Sequence, residues 1–198
     1  KPAERKGYSG TGLYCKQKPD RVIFSPWNDI DFEGRFIQAD FNNLSVISIY
    51  IPSGSAKQER QDYKMDFMTE RFMPYLKQLQ QDGRQYIICG DINIVHKQID
   101  IKNFSSNKNR SGCLPEERAW MDQLFDEEKF IDAFREVNQE PHQYTWWSNR
   151  GQAWVNNTGW RIDYQILSAN LKGTPKRVEI YKDERFSDHS PLIIDYDL

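Results

Sequence analysis

This chain of 198 residues has few cysteines, no long apolar run and little net charge. Its three cysteines, at positions 15, 89 and 113, lack a histidine or cysteine at metal-binding intervals, so neither a disulfide framework nor a zinc site is indicated. No apolar run approaches the ~18 residues of a spanning helix, and no charged-then-apolar leader opens the chain. We therefore expect a cytoplasmic protein in a reducing compartment, with no membrane partner.

The 27 basic and 29 acidic residues nearly balance, which argues weakly against a nucleic-acid partner, although clustering matters more than the sum. Internal repeats, low-complexity tracts and linkers are also missing from the sequence. At this length, and with 38% hydrophobic residues, the chain can bury most of its apolar surface. We expect one globular domain over residues 1–198, and a monomer.

Strand and helix patterns are interleaved along the chain. A strand is predicted at residues 13–16, after a glycine-rich turn, and residues 36–41 and 44–52 alternate with period two around Asn42 and Asn43, which predicts a hairpin. Helices are predicted over residues 60–81, with a kink at Pro74, and from Pro115 onward. Further strands are predicted in the stretches YTWWS, WRIDYQILS and SPLIIDYDL. This pattern predicts a layered α/β domain with sheets inside and helices outside.

The stretch QYIICGDINIVHKQIDIKN carries an apolar strand directly into Asp91 and Asn93. Residues two apart on a strand project to the same face, so an acid and an amide would reach one point in space. An Asx turn that caps the following loop is an equally reasonable interpretation of Gly-Asp-x-Asn. Other parts of the sequence must decide between the two.

At the far end of the chain, Asp188 and His189 stand at the mouth of a second apolar strand. Taken alone, a Ser-Asp-His-Ser turn is usually structural. However, Asp163 lies among apolar residues of a predicted core strand, where a carboxylate needs a partner, and His189 is the obvious one. Such a histidine can bind or protonate an oxyanion, and Asp188 remains for a hard cation such as Mg²⁺ or Mn²⁺. The set predicts phosphodiester or phosphomonoester cleavage.

Five motifs in order, GRF, YIP, GDINIVHKQIDIKN, GWRIDY and SDHSP, resemble the exonuclease III family of abasic-site endonucleases, within the endonuclease/exonuclease/phosphatase superfamily. The resemblance covers residues 7–198. It implies an α/β fold of the DNase I-like kind, a layered α/β sandwich of two packed mixed β-sheets flanked by helices. The family normally begins with a strand carrying an Asn and a strand carrying a metal-ligating Glu. Neither is present here, so we expect the fold to lack its usual N-terminal strand-helix segment.

The resemblance also implies roles for individual residues. Asp91 would orient or deprotonate the attacking water, and His189 would hold the scissile phosphate. The residues implied in catalysis are Tyr50, Asp91, Asn93, Asp163 and His189, and those implied in binding Mg²⁺ or Mn²⁺ are Asp188, His189 and Asp91. Standing alone, Tyr50 would be an ordinary strand-end aromatic with its hydroxyl in solvent.

The implied substrate is double-stranded DNA with abasic or 3′-blocked sites. The loop NFSSNKNRSG carries the residues that would grip its phosphates, Asn103, Asn107, Lys108 and Arg110, with Arg118 just beyond. A solvated surface loop would have the same composition. Trp146, Trp160 and Ile162 resemble the apolar pocket for a flipped, baseless sugar, although an aromatic strand pair is usually core.

Other stretches, ERAWMDQLF and DAFREV among them, resemble the bacterial catabolite repression control group. That resemblance implies a non-catalytic regulator that acts on RNA together with an RNA chaperone. A third alternative is a lipid or inositol phosphatase of the same superfamily. The enzyme is favoured, because a pure scaffold has no physical need for six polar groups that converge on one cavity.

Overall fold

A six-stranded mixed sheet forms the centre of the protein, in a computed structural model that describes residues 1–27 and 33–198. Its strands are β1 (Arg21–Ile23), β2 (Phe36–Phe41), β3 (Leu44–Tyr50), β4 (Gln85–Asp91), β5 (Ile131–Asp132) and β8 (Asp163–Leu167). They lie in the order β1-β2-β3-β4-β8-β5, with β3 and β4 parallel and the other neighbours antiparallel. The interleaved sequence pattern thus produces the predicted mixed α/β class.

The predicted hairpin is confirmed, whereas the first predicted strand is wrong. Phe41 pairs with Leu44 across the two-residue turn, in which Asn42 takes the left-handed conformation with φ 48°. Residues 13–16 form no strand, and the edge of β2 is instead paired with β1, where Arg21 also forms an ion pair with Asp40. Of the apolar residues at positions 13–15, only Leu13 is partly buried, while Tyr14 and Cys15 are exposed.

A long helical segment packs on one face of the sheet. It consists of α1 (Gln58–Asp66), a π-helical stretch (Phe67–Phe72) and α2 (Met73–Gln81). The predicted helix is therefore confirmed, and the irregularity expected at Pro74 lies in the wider turns just before it, which accommodate the missing proline N–H. No helix among the described residues is long and apolar enough to cross a membrane.

The remaining elements are shorter. The helices are α3 (Phe104–Asn107), α4 (Pro115–Asp122), which continues into a π-helical turn (Gln123–Glu127), and α5 (Ala133–Val137), with 3-10 turns at Gln98–Asp100 and Ala169–Leu171. The strands are β6 (Trp146–Trp147), β7 (Gly159–Trp160), β9 (Pro175–Ile180) and β10 (Leu192–Tyr196). The helix start at Pro115 and the three C-terminal strand predictions are confirmed, although WRIDYQILS is divided between β7 and β8.

The two faces of the main sheet are buried against different partners. Ile88 and Ile166 point toward the helices and join the cluster that contains Phe72 of the π-helical stretch. Residues of the opposite face, such as Leu167, pack against Ile194 of β10. Within the described residues, the second layer consists of the antiparallel pairs β9-β10 and β6-β7 rather than one mixed sheet. A single antiparallel bridge joins Trp146 of β6 to His189, which lies just before β10.

A buried ion network ties the loop after β4 to the strands behind it. Arg161 is fully buried, and its guanidinium donates to Asp100 Oδ1 and to Asp132 Oδ2, both at 2.7 Å. Arg135 Nη2 also donates to Asp100 Oδ1, at 2.7 Å. Burial alone would raise the pKa of Asp100, but attraction and hydrogen bonds from the two arginines outweigh it and lower this pKa to about 2.

We expect Asp100→Asn to destabilise the protein by about 3 kcal/mol or more at pH 7, because it leaves a buried guanidinium short of a partner. The pKa of Asp100 is lower in the folded than in the unfolded protein, so the ionised carboxylate adds about 2 kcal/mol to the free energy of unfolding. This contribution is present above pH ~4 and is lost as the pH falls toward 2. Urea unfolding at pH 7 and pH 3 measures this. The difference in free energy of unfolding between wild type and Asp100→Asn should be smaller at pH 3 than at pH 7. The control Asp183→Asn, at an exposed position, should leave the free energy of unfolding unchanged at both pH values. An equal difference at the two pH values would contradict the assigned role of Asp100.

Candidate active site

Three neighbouring strands of the main sheet end at the same place with polar side chains. Tyr50 is the last residue of β3 and pairs with Asp91, the last residue of β4. Asp91 in turn pairs with Asp163, the first residue of the antiparallel strand β8. Residues separated by up to 113 positions in sequence therefore lie side by side, because the register of β3, β4 and β8 aligns their ends.

Gly90 permits this close alignment of strands. A Cβ atom at Gly90 would come within 1.7 Å of the carbonyl oxygen of Ile49 on the neighbouring strand. Any larger residue would push β4 away from β3 just before Asp91. The glycine of the CGD sequence is thus required by packing next to the site.

Asp91 and Asn93 meet through a turn rather than through strand alternation. β4 ends at Asp91, and Asn93 adopts the left-handed conformation with φ 56°. The backbone N–H of Asn93 donates to Asp91 Oδ1 at 2.8 Å, and its side-chain Nδ2 donates to Asp91 Oδ2 at 2.9 Å and to the carbonyl oxygen of Ile51 at 3.0 Å. The Asx turn and the functional cluster, which the sequence presented as alternatives, are therefore the same structure: the turn fixes the carboxylate.

The predicted contact between Asp163 and His189 is present. Asp163 Oδ2 lies 2.9 Å from His189 Nδ1, which leaves Nε2 of the imidazole for another partner. Burial alone would lower the pKa of His189, but the hydrogen bond and the charge of Asp163, with smaller contributions from Asp91 and Asp188, raise it to about 9. His189 is therefore an imidazolium at neutral pH.

Asp188 is half-buried and less free than the sequence suggested. Its Oδ2 atom accepts a hydrogen bond of 3.0 Å from the indole N–H of Trp146. Its backbone carbonyl accepts from the N–H of Trp147 at 2.9 Å, which ties the turn before β10 to β6. One carboxylate oxygen is thus committed to the protein, and the other remains for a ligand.

These groups surround a cavity of about 700 Å³. Tyr50, Asp91, Asn93 and His189 line it, together with the aromatic and apolar residues Trp146, Trp160 and Ile162. Asp163 and Asp188 are not in its lining: Asp163 contacts the lining residue His189, and Asp188 contacts the lining residue Trp146. The Trp146 and Trp160 rings meet edge to face at 6.0 Å and also pack on the cluster that contains Ile162, so the same residues form both a wall of the cavity and a small core.

Electrostatics inside the cavity assign different protonation states to its groups. Burial and repulsion by Asp163 raise the pKa of Asp91 to about 7, although His189 opposes the shift. Burial and the charge of Asp91 raise the pKa of Tyr50, so its phenol stays protonated. The cavity thus holds a carboxylate that can accept a proton near neutral pH beside two hydrogen-bond donors.

The predicted DNA-binding loop is divided by the structure. Arg110 lines the cavity. Asn103 lines a separate, shallow depression of about 760 Å³. This depression is slightly larger than the cavity but contains neither Asp91 nor His189. Asn107 donates to the carbonyl of Asn103 at 2.9 Å, and Lys108 is exposed outside both. Arg118 stacks over Phe104 and donates to the carbonyl of residue 113, so it stabilises the loop.

A divalent cation would find only part of its coordination sphere in the described residues. Among residues 1–27 and 33–198, no group of three or more His, Cys, Asp or Glu side chains is arranged to hold a metal. The charge distribution nevertheless fits a hard cation, because three carboxylates, Asp91, Asp163 and Asp188, lie around the single imidazolium of His189. Mg²⁺ commonly binds through one or two carboxylates and completes its shell with water and phosphate oxygens.

The Endonuclease/Exonuclease/phosphatase family model matches residues 2–189. The chain belongs to this family. An exodeoxyribonuclease from Bacillus subtilis (strain 168) is 39% identical over 192 residues, which cover 96% of this chain and 75% of that protein. DNA repair nuclease APEX1 from Danio rerio is 35% identical over 194 residues, which cover 96% of this chain and 61% of that protein. The resemblance to exonuclease III relatives inferred from the five motifs is confirmed.

Solved structures of the family share the fold. An AP endonuclease from Archaeoglobus fulgidus superposes with a TM-score of 0.81 at 24% identity, over 91% of this chain and 72% of that chain. The 3′-5′ exonuclease NExo from Neisseria meningitidis superposes with a TM-score of 0.82 at 26% identity, over the same shares of the two chains. These likenesses confirm the predicted DNase I-like α/β fold.

Sequence reasoning missed a second set of polar residues at the site. Lys57 and Gln61 of the α1 region and Ser111 of the loop before α4 line the cavity. Behind them, Lys64 and Glu117 form a fully buried ion pair. One signal was available, because Lys64 precedes Met68 by four residues and therefore lies on the buried stripe of the helix.

Changing Asp163 to Asn should lower the pKa of His189 from about 9 by roughly one unit or more, because Asp163 provides its hydrogen bond and its largest favourable charge. Titration of the imidazole signals by NMR measures the shift. Asp188→Asn is the matched control and should cause a smaller change, since Asp188 contributes least of the three carboxylates. Equal shifts in the two variants would contradict the assigned pairing.

Proposed function

We propose that this protein is a divalent-metal-dependent DNA-repair nuclease of the exonuclease III type, which hydrolyses a phosphodiester bond at abasic or 3′-blocked sites. One observation carries the proposal: a half-buried acid, an amide, an imidazolium and a phenol open into one cavity, and these are Asp91, Asn93, His189 and Tyr50. The relatives' names support it, since they are exodeoxyribonucleases and DNA repair nucleases rather than RNA regulators.

Asp91 is the proposed general base. It takes a proton from water as the new P–O bond forms and the ester P–O bond breaks, and the leaving oxygen takes a proton from solvent. Asn93 keeps the carboxylate oriented through two hydrogen bonds. In-line attack requires this fixed geometry, because a loosely held base cannot align water with the bond to be broken.

His189 and Tyr50 are proposed to hold the phosphate. Nε2 of the imidazolium and the protonated phenol are donors at the cavity, and both favour the negative charge that builds on the phosphoryl oxygens. Mg²⁺ or Mn²⁺, bound by Asp188 with Asp91 and His189 nearby, would neutralise charge on the phosphate and the leaving oxygen. Asp163 orients the imidazole.

DNA recognition is proposed to use the walls of the cavity. Trp146, Trp160 and Ile162 form an apolar wall suited to a flipped sugar without a base. Arg110 lies on the cavity wall, and Asn103, Asn107 and Lys108 continue along the same loop outside it. A duplex with its damaged nucleotide in the cavity would place neighbouring phosphates along this loop.

The first experiment uses the intact protein and duplex DNA with one abasic site, with Mg²⁺ or EDTA. We expect a metal-dependent nick at the site, and a loss of about 10³-fold in kcat for Asp91→Asn, because only the water-activating group is removed. Circular dichroism and thermal unfolding serve as controls for the fold of the variant. No nick in Mg²⁺, combined with tight RNA binding, would overturn the proposal in favour of a regulator. Unchanged cleavage by the variant would reject the role of Asp91.

Replacing Arg110 with Ala should weaken binding of the abasic duplex uniformly across flanking sequences. One lost phosphate contact reduces the slope of log Kd against log salt by about 0.9. Lys172→Ala is the control, since Lys172 is exposed and lies outside both the cavity and the loop of residues 103–112. Fluorescence anisotropy in EDTA between 50 and 200 mM salt measures both. Equal slopes for wild type and Arg110→Ala would remove Arg110 from the interface.

A further inference from the structure

A fully buried ion pair lies directly behind the cavity. Lys64 of α1 and Glu117 of α4 both have side chains with 0% exposure, and Lys64 Nζ lies 2.5 Å from Glu117 Oε1. The same ammonium donates to the carbonyl oxygen of Asn93 at 2.9 Å. The pair therefore contacts the turn that orients Asp91.

Glu117 holds the adjoining wall of the cavity. Its Oε2 atom accepts from the backbone N–H groups of Gly112 at 2.7 Å and Leu114 at 2.9 Å, and its Oε1 atom accepts from Gln61 Nε2 at 3.1 Å. Gln61 Oε1 in turn accepts from the hydroxyl of Ser111 at 2.6 Å. All four of these neighbours line the cavity, so one carboxylate fixes several of its lining residues.

The backbone of Asn93 takes the left-handed conformation with φ 56°, which asparagine tolerates better than most residues. Its N–H and side chain are bound to Asp91 and Ile51, and its carbonyl is bound to Lys64. Directly beside Asn93, Gly112 has φ 89°, and a Cβ there would lie 3.1 Å from the carbonyl oxygen of Asn93 and 3.1 Å from the ring of Trp160. The ion pair thus links the polar wall to the aromatic wall.

We propose that Lys64 and Glu117 are positioning residues that set the spacing between the Asp91–Asn93 turn and the wall formed by residues 110–114. This inference rests on the proposed nuclease function. A displacement of about 1 Å between reacting groups can reduce the rate by about 10²-fold. A buried ion pair contributes little net stability compared with well-packed neutral residues, which leaves geometric specificity as its physical role.

The test is the double variant Lys64→Met with Glu117→Gln. Single changes would strand a buried charge and could unfold the protein, whereas the double variant removes both charges and keeps an acceptor for the N–H groups of residues 112 and 114. The matched control is Lys77→Met with Glu128→Gln, which removes a partly exposed Lys–Glu pair at 2.9 Å, from the same helical segment, outside the cavity. We expect kcat on the abasic duplex to fall roughly 10- to 100-fold in the first variant, with KM within about threefold, and no change in the control.

Amide hydrogen exchange at Asn93 provides a readout that does not require activity. If the pair positions the turn, the Asn93 N–H should exchange faster in the double variant by more than the change in global stability explains. The single variant Lys64→Arg keeps the charge and the donors. Its Asn93 exchange and its kcat should therefore be closer to those of the wild type than to those of the double variant. Unchanged kcat together with exchange that follows only global stability would overturn the proposal. If the wild type does not cleave the duplex but Asn93 exchange is still faster in the double variant, the proposed function is refuted and the positioning role remains.

Discussion

The register of three strands is the constraint on which the site depends. Tyr50, Asp91 and Asp163 are functional neighbours only because β3, β4 and β8 end in line. Strand side chains alternate between faces, so a slip of one residue in β4 would turn Asp91 away from its neighbours. Buried apolar residues on both faces, such as Ile87 and Ile88, prevent that slip, since a shift would also exchange the partners of each face. The core thus specifies the geometry of the chemistry.

That alignment places like charges together, and the site uses the resulting repulsion. Asp91 and Asp163 are cross-strand neighbours, and each disfavours a second negative charge beside it. The hydrogen bond of His189 goes to Asp163, so the two acids differ: Asp163 holds an imidazolium, and Asp91 is a half-buried carboxylate whose pKa is raised to about 7. Two chemically identical side chains thereby acquire separate roles from their surroundings.

Much of this was accessible from the sequence, and the failures have physical causes. Period-two alternation and the Asn42–Asn43 turn predicted the hairpin, because both depend on local contacts. The pairing of Asp163 with His189 was predictable because a carboxylate within an apolar strand requires a partner. Asn93 was assigned to the correct place for an incorrect reason, since a turn and not strand alternation brings it to Asp91, and its carbonyl is bonded to Lys64, 29 residues away. No local pattern records such a contact.

Two buried ion networks fix the loop segments next to the site. The arginine cluster around Asp100 anchors the chain that follows β4, and Lys64 with Glu117 anchors its first turn. Their charges are costly to bury, so hydrophobic replacements would stabilise these positions at least as well. Apolar packing does not supply direction, whereas several of these charged groups bond to specific backbone atoms: Lys64 donates to the carbonyl of Asn93, and Asp100 and Glu117 accept from the N–H groups of Lys97 and Gly112. The positioning role proposed for Lys64 and Glu117 depends on that directionality, which leucine at the same places would not provide.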